Sequence, residues 1–329
     1  MLDRVAPDTP LFGPDAPMAR LETRLSELLG KPRALFFPSG TMAQQVALRI
    51  HAERIGRGTF TAHLTNHLDK WEQRGYAAVH GLRYHPAGAA ERLLTLDDLQ
   101  QVTEPVSTLL IELPQREIGG FLPSWEDLNA QVRWARERGA AVHLDGARLW
   151  EAQPYYDRPH AEIAALFDTV YVSLYKGLEG VRGAVLAGDE DTIGHAEVWR
   201  QRLGGAIPDA WPLAVAALIG LDDVLPRMPA FRDHAVAIAE ALTVGGISVV
   251  PATPQTPLFH ILLPVDAAAA TRARDELIAE RGVQVFSRAQ PESVPGRCRF
   301  EITVGENAME FEPHEVVELI DELVRRALP

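Results

Sequence analysis

The stretch Ala141-Val142-His143-Leu144-Asp145-Gly146-Ala147-Arg148 carries the clearest fold signal in the chain. Its first four residues predict a strand that delivers the carboxylate of Asp145 to the edge of a sheet, where Gly146 turns the chain at once. The preceding segment predicts a helix that opens at Ser124 and closes at Gly139. A helix followed by an apolar strand that ends in a polar turn is typical of an α/β sheet.

Short apolar runs separated by helical segments continue on both sides of this stretch. A first helix is predicted over Met18–Leu29, where apolar residues recur at helical spacing and Gly30 is placed to end the helix. Several strands are apolar throughout, which predicts a mostly parallel seven-stranded sheet flanked by helices on both faces. The predicted strands are Ala34–Phe37, Thr59–His63, Ala77–His80, Ser107–Leu113, Ala141–Leu144, Thr169–Ser173 and Arg182–Ala187.

The character of the chain changes after Gly188. Asp189–Leu203 and Asp209–Val244 are mainly helical, and the last hundred residues predict a smaller C-terminal α+β domain. The strands of this domain are predicted near Ile247–Val250, Leu258–Leu263, Val283–Phe286 and Arg299–Val304, and its helices near Ala267–Arg281 and Pro313–Leu328.

Length, charge and cysteine content limit the classes of protein to which this chain can belong. The 329 residues suffice for two domains, and we predict an N-terminal arm (1–17), a large domain (18–225) and a small domain (226–329). A formal charge of −13 argues against a nucleic-acid-binding surface, and no run of 18 apolar residues predicts a membrane span. The single cysteine, Cys298, excludes an internal disulfide and a cysteine-cluster metal site. With an N-terminus unlike a secretory signal, these features predict a cytoplasmic protein.

A turn of Ser39-Gly40-Thr41 lies between the apolar run Ala34–Phe37 and a predicted helix. Free N–H groups at a helix start, the close backbone approach that Gly40 permits and two hydroxyls would form a phosphate-binding cradle. An ordinary N-cap explains the same residues, so this segment alone leaves both interpretations open.

Three further polar features follow predicted strands. Asp145 either serves a ligand or caps a turn while paired with Arg148. Lys176 has apolar flanks, so desolvation would lower its pKa and activate the amine, whereas a solvated loop lysine is the alternative. His67 either stacks on a flat ring and exchanges protons, or is an ordinary surface histidine. Taken together, a phosphate cradle, a carboxylate, a lysine and a stacking ring are the groups that pyridoxal phosphate requires.

The chain resembles the threonine aldolases, within the β-eliminating lyase group of fold-type I pyridoxal-phosphate enzymes, over residues 11–305. The matching segments are Phe12–Pro17 with Leu21-Glu22, the phosphate loop Pro38–Ala43, His67 with Glu72, His143–Leu149, Lys176-Gly177-Leu178, and Trp199-Arg200 with Leu203-Gly204-Gly205. The resemblance implies a fold-type I transferase-like fold, pyridoxal 5'-phosphate as cofactor, and a homodimer or homotetramer with active sites at the subunit interface.

The same resemblance implies roles for individual residues. Lys176 would hold the cofactor as a Schiff base, and Asp145 would keep the pyridine nitrogen protonated. Ser39, Gly40 and Thr41 would hold the phosphate. His67 would stack on the ring and face the β-position of the substrate.

The substrate side departs from the family. Arg148 and Arg299 would bind the α-carboxylate of an amino acid, and Arg148 would also contact the cofactor. Gln115, which cannot act as a base, replaces an active-site histidine, and Arg116 replaces a neutral amide with a cation. We therefore expect Gln115 and Arg116 to contact a polar or anionic β-substituent. The family's Met-Arg-Gln segment, which carries a phosphate-contacting arginine, is Ile207-Pro208-Asp209 here.

Three interpretations of the function follow. An aldolase on β-hydroxy-α-amino acids would break the Cα–Cβ bond to give glycine and an aldehyde, with His67 taking the β-hydroxyl proton. A β-eliminating lyase would break the Cα–H bond first, with Lys176 as base, and release ammonia and a 2-oxo acid. A pyridoxal-phosphate-binding scaffold without activity follows if Gln115 abolishes the chemistry. The aldolase is our main prediction, acting on a small amino-acid substrate and on neither nucleic acid nor membrane.

Overall fold

The computed structural model describes residues 9–328, so residues 1–8 of the predicted N-terminal arm lie outside the described residues. The helices are α1 (Pro17–Leu29), α2 (Gly40–Ile55), α3 (His67–Lys70), α4 (Gly75–Ala78), α5 (Leu96–Gln100), α6 (Trp125–Glu137), α7 (Leu149–Tyr156), α8 (His160–Ala164), α9 (Glu190–Arg202), α10 (Trp211–Ile219), α11 (Met228–Val244), α12 (Ala267–Arg281) and α13 (Pro313–Ala327). The strands are β1 (Arg33–Phe37), β2 (Thr59–His63), β3 (Arg83–Ala87), β4 (Thr108–Glu112), β5 (Ala141–Gly146), β6 (Thr169–Ser173), β7 (Ala184–Gly188), β8 (Ser248–Val250), β9 (Leu258–Leu263), β10 (Ala289–Pro291) and β11 (Cys298–Thr303).

The chain divides into two units. One comprises the described residues up to Pro114 together with Leu122–Pro226, and the other comprises Gln115–Phe121 and the described residues from Arg227 onward. The short segment Gln115–Phe121 therefore groups with residues far from it in sequence. The domain boundaries predicted from the sequence remain proposals.

The first unit is built on a seven-stranded sheet with the order β1-β7-β6-β5-β4-β2-β3. Strands β2 to β6 pair in parallel, and β7 is antiparallel to both of its neighbours, β1 and β6. The predicted mostly parallel sheet of seven strands is confirmed. Because β1, β5 and β6 run in one direction, their C-terminal ends lie at the same edge of the sheet as the start of β7.

Helices cover this sheet because its central strands are apolar on both faces. All residues of β2, β6 and β7 are buried, which leaves these strands no solvent-facing side. The small residues Ala43 and Ala47 let α2 pack closely in the core cluster that includes β1, β6 and β7 side chains. On α1, Leu21, Leu25 and Leu29 recur every four residues and form one buried stripe.

Two of the predicted strands are wrong. Ala77–His80 contains the end of α4 and a turn, and the sheet's third strand in chain order is β3 instead. Pro86 obscures β3 in the sequence, since proline cannot donate a ladder hydrogen bond, and it is tolerated because β3 is an edge strand. Val283–Phe286 is likewise not a strand, and β10 takes the edge position. Phe286 is buried by stacking on Phe300, with ring centroids 4.3 Å apart, without joining the ladder.

The second unit contains an antiparallel four-stranded sheet with the order β10-β11-β9-β8 and the helices α11, α12 and α13. The helix predicted over Ala267–Arg281 is confirmed as α12. The helical region predicted over Asp209–Val244 is interrupted after α10 by a π turn over Gly220–Val224, and α11 starts afresh with Pro229 in its first turn. Within residues 9–328, no helix combines the length and the hydropathy needed to cross a bilayer.

Candidate active site

A cleft opens in the first unit beyond the C-terminal ends of β1, β5 and β6. Its volume, including the mouth, is about 410 Å³. The predicted site residues that line it are Ser39, Gly40, Thr41, His67, Asp145 and Lys176. Residues from four separate parts of the sequence thus meet where parallel sheets ordinarily bind their ligands.

One end of the cleft is formed by the start of α2. Ser39 is its N-cap, and the Oγ atom accepts a hydrogen bond from the backbone N–H of Met42 at 3.2 Å. A Cβ atom on Gly40 would lie 2.8 Å from Cε2 of Tyr171 and closer still to the tyrosine hydroxyl, so only glycine leaves room here. The first turn of a helix has N–H groups without intrahelical acceptors, and these favour an anion.

Asp145 lies near the end of β5, three strands away from β1 in the order of the sheet. Its side chain is buried, the residue being 1% exposed, and Oδ1 accepts the backbone N–H of Ala147 at 3.1 Å. Tyr171 is its register partner on β6. A carboxylate held in so buried a position is suited to a cationic ligand group, because the ligand would offset the cost of burying the charge.

Lys176 follows β6 on the loop that leads to β7, and it is half-buried. Burial lowers the pKa of Lys176, and the nearby charge of Arg148 lowers it further, while the charge of Asp145 opposes both. This is the direction expected from the apolar flanks of the lysine. A larger fraction of the amine is therefore neutral at a given pH and able to act as a nucleophile.

A chain of two hydrogen bonds, to Glu72 and from there to Gln45, orients the imidazole of His67. Its Nδ1 lies 3.1 Å from Oε1 of Glu72, whose Oε2 accepts a hydrogen bond from Nε2 of Gln45 at 3.0 Å. Burial disfavours the imidazolium, but the hydrogen bond that His67 donates to Glu72 and the charge of Asp145 outweigh it and raise the pKa of His67. We assign the Nδ1 proton to the bond with Glu72, which leaves Nε2 to exchange a proton with a ligand.

Arg148 is not among the residues that line the cleft, but it lies near the segment that carries Lys176. Its Nε lies 3.5 Å from Oε2 of Glu151, and both side chains are largely buried. A Cβ atom on Gly177 would lie 2.8 Å from Oε1 of Glu151, so this ion pair is next to the residue that follows Lys176. The predicted role of Arg148 in binding a carboxylate stays a prediction.

The other predicted substrate contacts belong to the second unit. Gln115 is buried, and its backbone N–H donates to the carbonyl of Phe121 at 2.9 Å. The Arg116 guanidinium donates from Nε to Oε2 of Glu301 at 2.6 Å. Arg299 is likewise ion-paired within that unit. Their contacts with substrate remain predictions, and Arg116 already shares its charge with a carboxylate.

Four residues of the cleft were missed by the sequence reasoning, namely Gln44, Tyr171, Tyr175 and Arg182. Gln44 is 2% exposed, and within the described part of the chain its Oε1 has no hydrogen-bond partner. Helical spacing could have found Gln44, since it lies one turn beyond Gly40, and strand alternation could have found Tyr171. Arg182 could not be found in this way, because its position depends on the pairing of β7 with β1.

The sheet with its one antiparallel strand and the cleft beyond the strand ends define the class of protein. It is an enzyme of the fold-type I pyridoxal-phosphate-dependent group. More narrowly, residues 6–261 match the family described as Beta-eliminating lyase, and the chain belongs to that family. The family and the cofactor predicted from the sequence are thereby confirmed.

Named relatives agree with this assignment. The chain is 32% identical over 245 residues to the low specificity L-threonine aldolase of Escherichia coli (strain K12), covering 73% of each protein. A crystal structure of a candidate L-allo-threonine aldolase from Listeria monocytogenes EGD-E superposes with a TM-score of 0.90 at 37% identity, covering 99% of this chain and 91% of the other. Serine palmitoyltransferase of Sphingomonas wittichii shares the fold, with a TM-score of 0.68 at 18% identity over 94% of this chain and 76% of the other.

Proposed function

We propose that the protein is a pyridoxal-phosphate-dependent aldolase that cleaves the Cα–Cβ bond of a β-hydroxy-α-amino acid to glycine and an aldehyde. One observation carries the proposal: a histidine of raised pKa shares one cleft with a buried aspartate and a lysine of lowered pKa. The name of the Escherichia coli relative, a low specificity L-threonine aldolase, supports the substrate class.

The residues of the cleft fit this cofactor. The start of α2 offers the Ser39 and Thr41 hydroxyls and backbone N–H groups to a phosphate, and Asp145 offers a carboxylate to a protonated ring nitrogen. The buried Oε1 of Gln44, which lacks a partner among residues 9–328, is typical of a site that a ligand completes. When bound, pyridoxal phosphate supplies an electron sink for negative charge that develops at Cα of an amino acid.

The predicted catalytic residues would then divide the reaction among them. Lys176 would hold the cofactor through Nζ, and Asp145 would keep the pyridine nitrogen protonated. His67 would stack on the cofactor ring and take the β-hydroxyl proton on Nε2, while Glu72 accepts the Nδ1 proton in a hydrogen bond and keeps the imidazole in this orientation. Arg148 orients the substrate by its α-carboxylate.

We also propose the remaining predictions for this protein. Gln115, Arg116 and Arg299 contact the substrate, and the first two favour a polar or anionic β-substituent. The protein acts in the cytoplasm as a homodimer or homotetramer in amino-acid metabolism. The single cysteine, Cys298, which is buried, supports a reducing compartment, and closed symmetry is usual for soluble oligomers.

A β-eliminating reaction is the second candidate function. The observation that favours it is the lowered pKa of Lys176, since this amine could accept the Cα proton once it is released from the cofactor. The two reactions differ in their products, and the test below distinguishes them.

Product analysis tests the proposal. The purified holoenzyme is incubated with threonine, phenylserine, β-hydroxyaspartate and serine, and the products are identified by chromatography. We expect glycine and the matching aldehyde in equal amounts from a β-hydroxy-α-amino acid. Ammonia and a 2-oxo acid without glycine would establish β-elimination instead. A bound cofactor chromophore with no product from any amino acid would refute both functions.

A further inference from the structure

Arg182 is a fixed cation in the cleft, and the proposed mechanism gives it no task. It lies on the loop between β6 and β7 and lines the cleft together with Ser39, Gly40 and Thr41. An arginine guanidinium is a planar cation with five N–H donors and no acceptor. Lys176, the other basic side chain of the cleft wall, has a lowered pKa and is committed to the covalent bond.

The charge of Arg182 is available to a ligand. Within residues 9–328, its side chain takes part in no hydrogen bond or ion pair. The two carboxylates of the cleft have other partners, because Glu72 binds His67 and Asp145 accepts the N–H of Ala147. An exposed arginine at the wall of a binding cleft that faces no protein carboxylate is suited to an anionic ligand group.

The strand order places β7, which Arg182 precedes, next to β1 and two strands from β5. In the antiparallel pair of β1 and β7, Phe37 is opposite Ala184. This is the last register pair of the two strands, and two residues beyond it the chain reaches Ser39 on one side and Arg182 on the other, both of which line the cleft. Asp145 belongs to β5, which lies three strands from β1. With a spacing of about 4.8 Å between strands, the ends of β1 and β5 are roughly 14 Å apart.

The loop that carries Arg182 is closed tightly. The N–H of Leu174 donates to the carbonyl of Gly183 at 3.1 Å, and the N–H of Gly180 donates to the carbonyl of Leu174 at 3.1 Å. Gly183 has a φ of 112°, a conformation that favours glycine, and a Cβ there would lie 3.0 Å from Cζ of Phe36. Arg182 therefore extends from a backbone that is held against β1 rather than from a free loop.

We propose that Arg182, together with the start of α2, binds the phosphate end of the cofactor. The inference rests on the proposed function, because it takes pyridoxal phosphate as the ligand. The helix start supplies N–H groups and hydroxyls but no full positive charge, and Arg182 supplies the charge that a dianion needs. Tyr171 adds a neutral donor beside Gly40, since burial keeps the pKa of its hydroxyl well above the usual range.

Cofactor binding to the apo-protein tests the inference independently of catalysis. The cofactor is removed from the wild type and from Arg182→Gln, Arg182→Lys and the control Arg24→Gln, and the apo-proteins are titrated with pyridoxal phosphate and with pyridoxal, which lacks the phosphate. Arg24 is an exposed arginine of α1 outside the cleft. Inorganic phosphate is then titrated as a competitor of pyridoxal phosphate. Far-UV circular dichroism establishes that each variant is folded.

We expect Arg182→Gln to raise the Kd for pyridoxal phosphate by roughly tenfold or more, a loss of about 1.4 kcal/mol. The Kd for pyridoxal should change by less than about twofold. Inorganic phosphate should compete correspondingly less well, Arg182→Lys should lie between the wild type and Arg182→Gln, and Arg24→Gln should match the wild type.

Two results would overturn the inference. One is an equal change, or no change, in the Kd values for pyridoxal phosphate and pyridoxal in Arg182→Gln. The other is a raised KM for the amino acid with unchanged cofactor affinity, which would place the charge at the substrate. A wild-type protein that binds neither compound would instead refute the proposed function, so the two failures are distinguishable.

Discussion

Substitution of Gly40 by alanine tests whether the cleft wall leaves room for a side chain at this position. The new Cβ atom would lie 2.8 Å from Cε2 of Tyr171 and closer to its Cζ and hydroxyl, where ordinary van der Waals contact begins at about 3.4 Å. Tyr171 is 2% exposed and packs in a cluster with Phe37, Ala43 and Ala147, so a shift of its ring would disturb this packing. Either the ring or the start of α2 must shift.

The expected cost is that of overpacking a buried site, about 1–3 kcal/mol. For a unit of this size such a loss lowers the midpoint of thermal unfolding by roughly 2–12 °C. A shift of α2 would also displace the N–H groups at the helix start, so we expect the apo-protein of Gly40→Ala to bind pyridoxal phosphate at least about tenfold more weakly.

Urea unfolding of the apo-protein and cofactor titration measure these two effects. The matched control is Gly58→Ala, because Gly58 is exposed, a Cβ there meets no atom within 4 Å, and its φ is not positive. We expect Gly58→Ala to change the free energy of unfolding by less than about 1 kcal/mol. In a Tyr171→Leu background the Gly40→Ala penalty should shrink by more than half. Equal unfolding midpoints and cofactor affinities for Gly40→Ala, Gly58→Ala and the wild type would refute the reasoning.

Four further predictions follow from the cleft. Borohydride should fix the cofactor on the peptide that contains Lys176, and mass spectrometry of a digest would disprove the assignment if another lysine were labelled. Asp145→Asn should keep the fold but lose most of kcat, because asparagine cannot sustain a protonated ring nitrogen; near-wild-type kcat would show that Asp145 is structural. Glu72→Gln should shift the acid limb of the kcat profile to lower pH. The carboxylate of Glu72 raises the pKa of His67, the base form exists above that pKa, and removing the charge lowers it; an unmoved or raised limb would contradict the role of His67. Arg116→Ala should change the order of kcat/KM among threonine, phenylserine and β-hydroxyaspartate, and an unchanged order would show that the ion pair of Arg116 in the second unit is its whole role.

The sequence alone predicts those elements whose signals are local. The strands Thr59–His63, Thr169–Ser173 and Leu258–Leu263 and the helix Ala267–Arg281 lie where continuous apolar runs or helical spacing place them. The residues Ser39, Asp145 and Lys176 could be selected because each follows an apolar strand, and in a parallel sheet such ends share one edge. Local signals mislead where they are short or broken, as at Ala77–His80, which is not a strand.

Only the tertiary structure determines those features of the cleft that depend on contacts between residues far apart in sequence. The pairing of β1 with β7 brings Arg182 into the cleft that Ser39 also lines. The packing of α2 brings Gln45 to Glu72 and makes Gly40 obligatory beneath Tyr171. A hydrophobic pattern shows that a strand is buried, but it does not specify its neighbour or the residue that its side chain meets. Strand pairing and close packing across the whole unit determine the neighbouring strand and the contacts of each side chain. The same pairing and packing form the cleft.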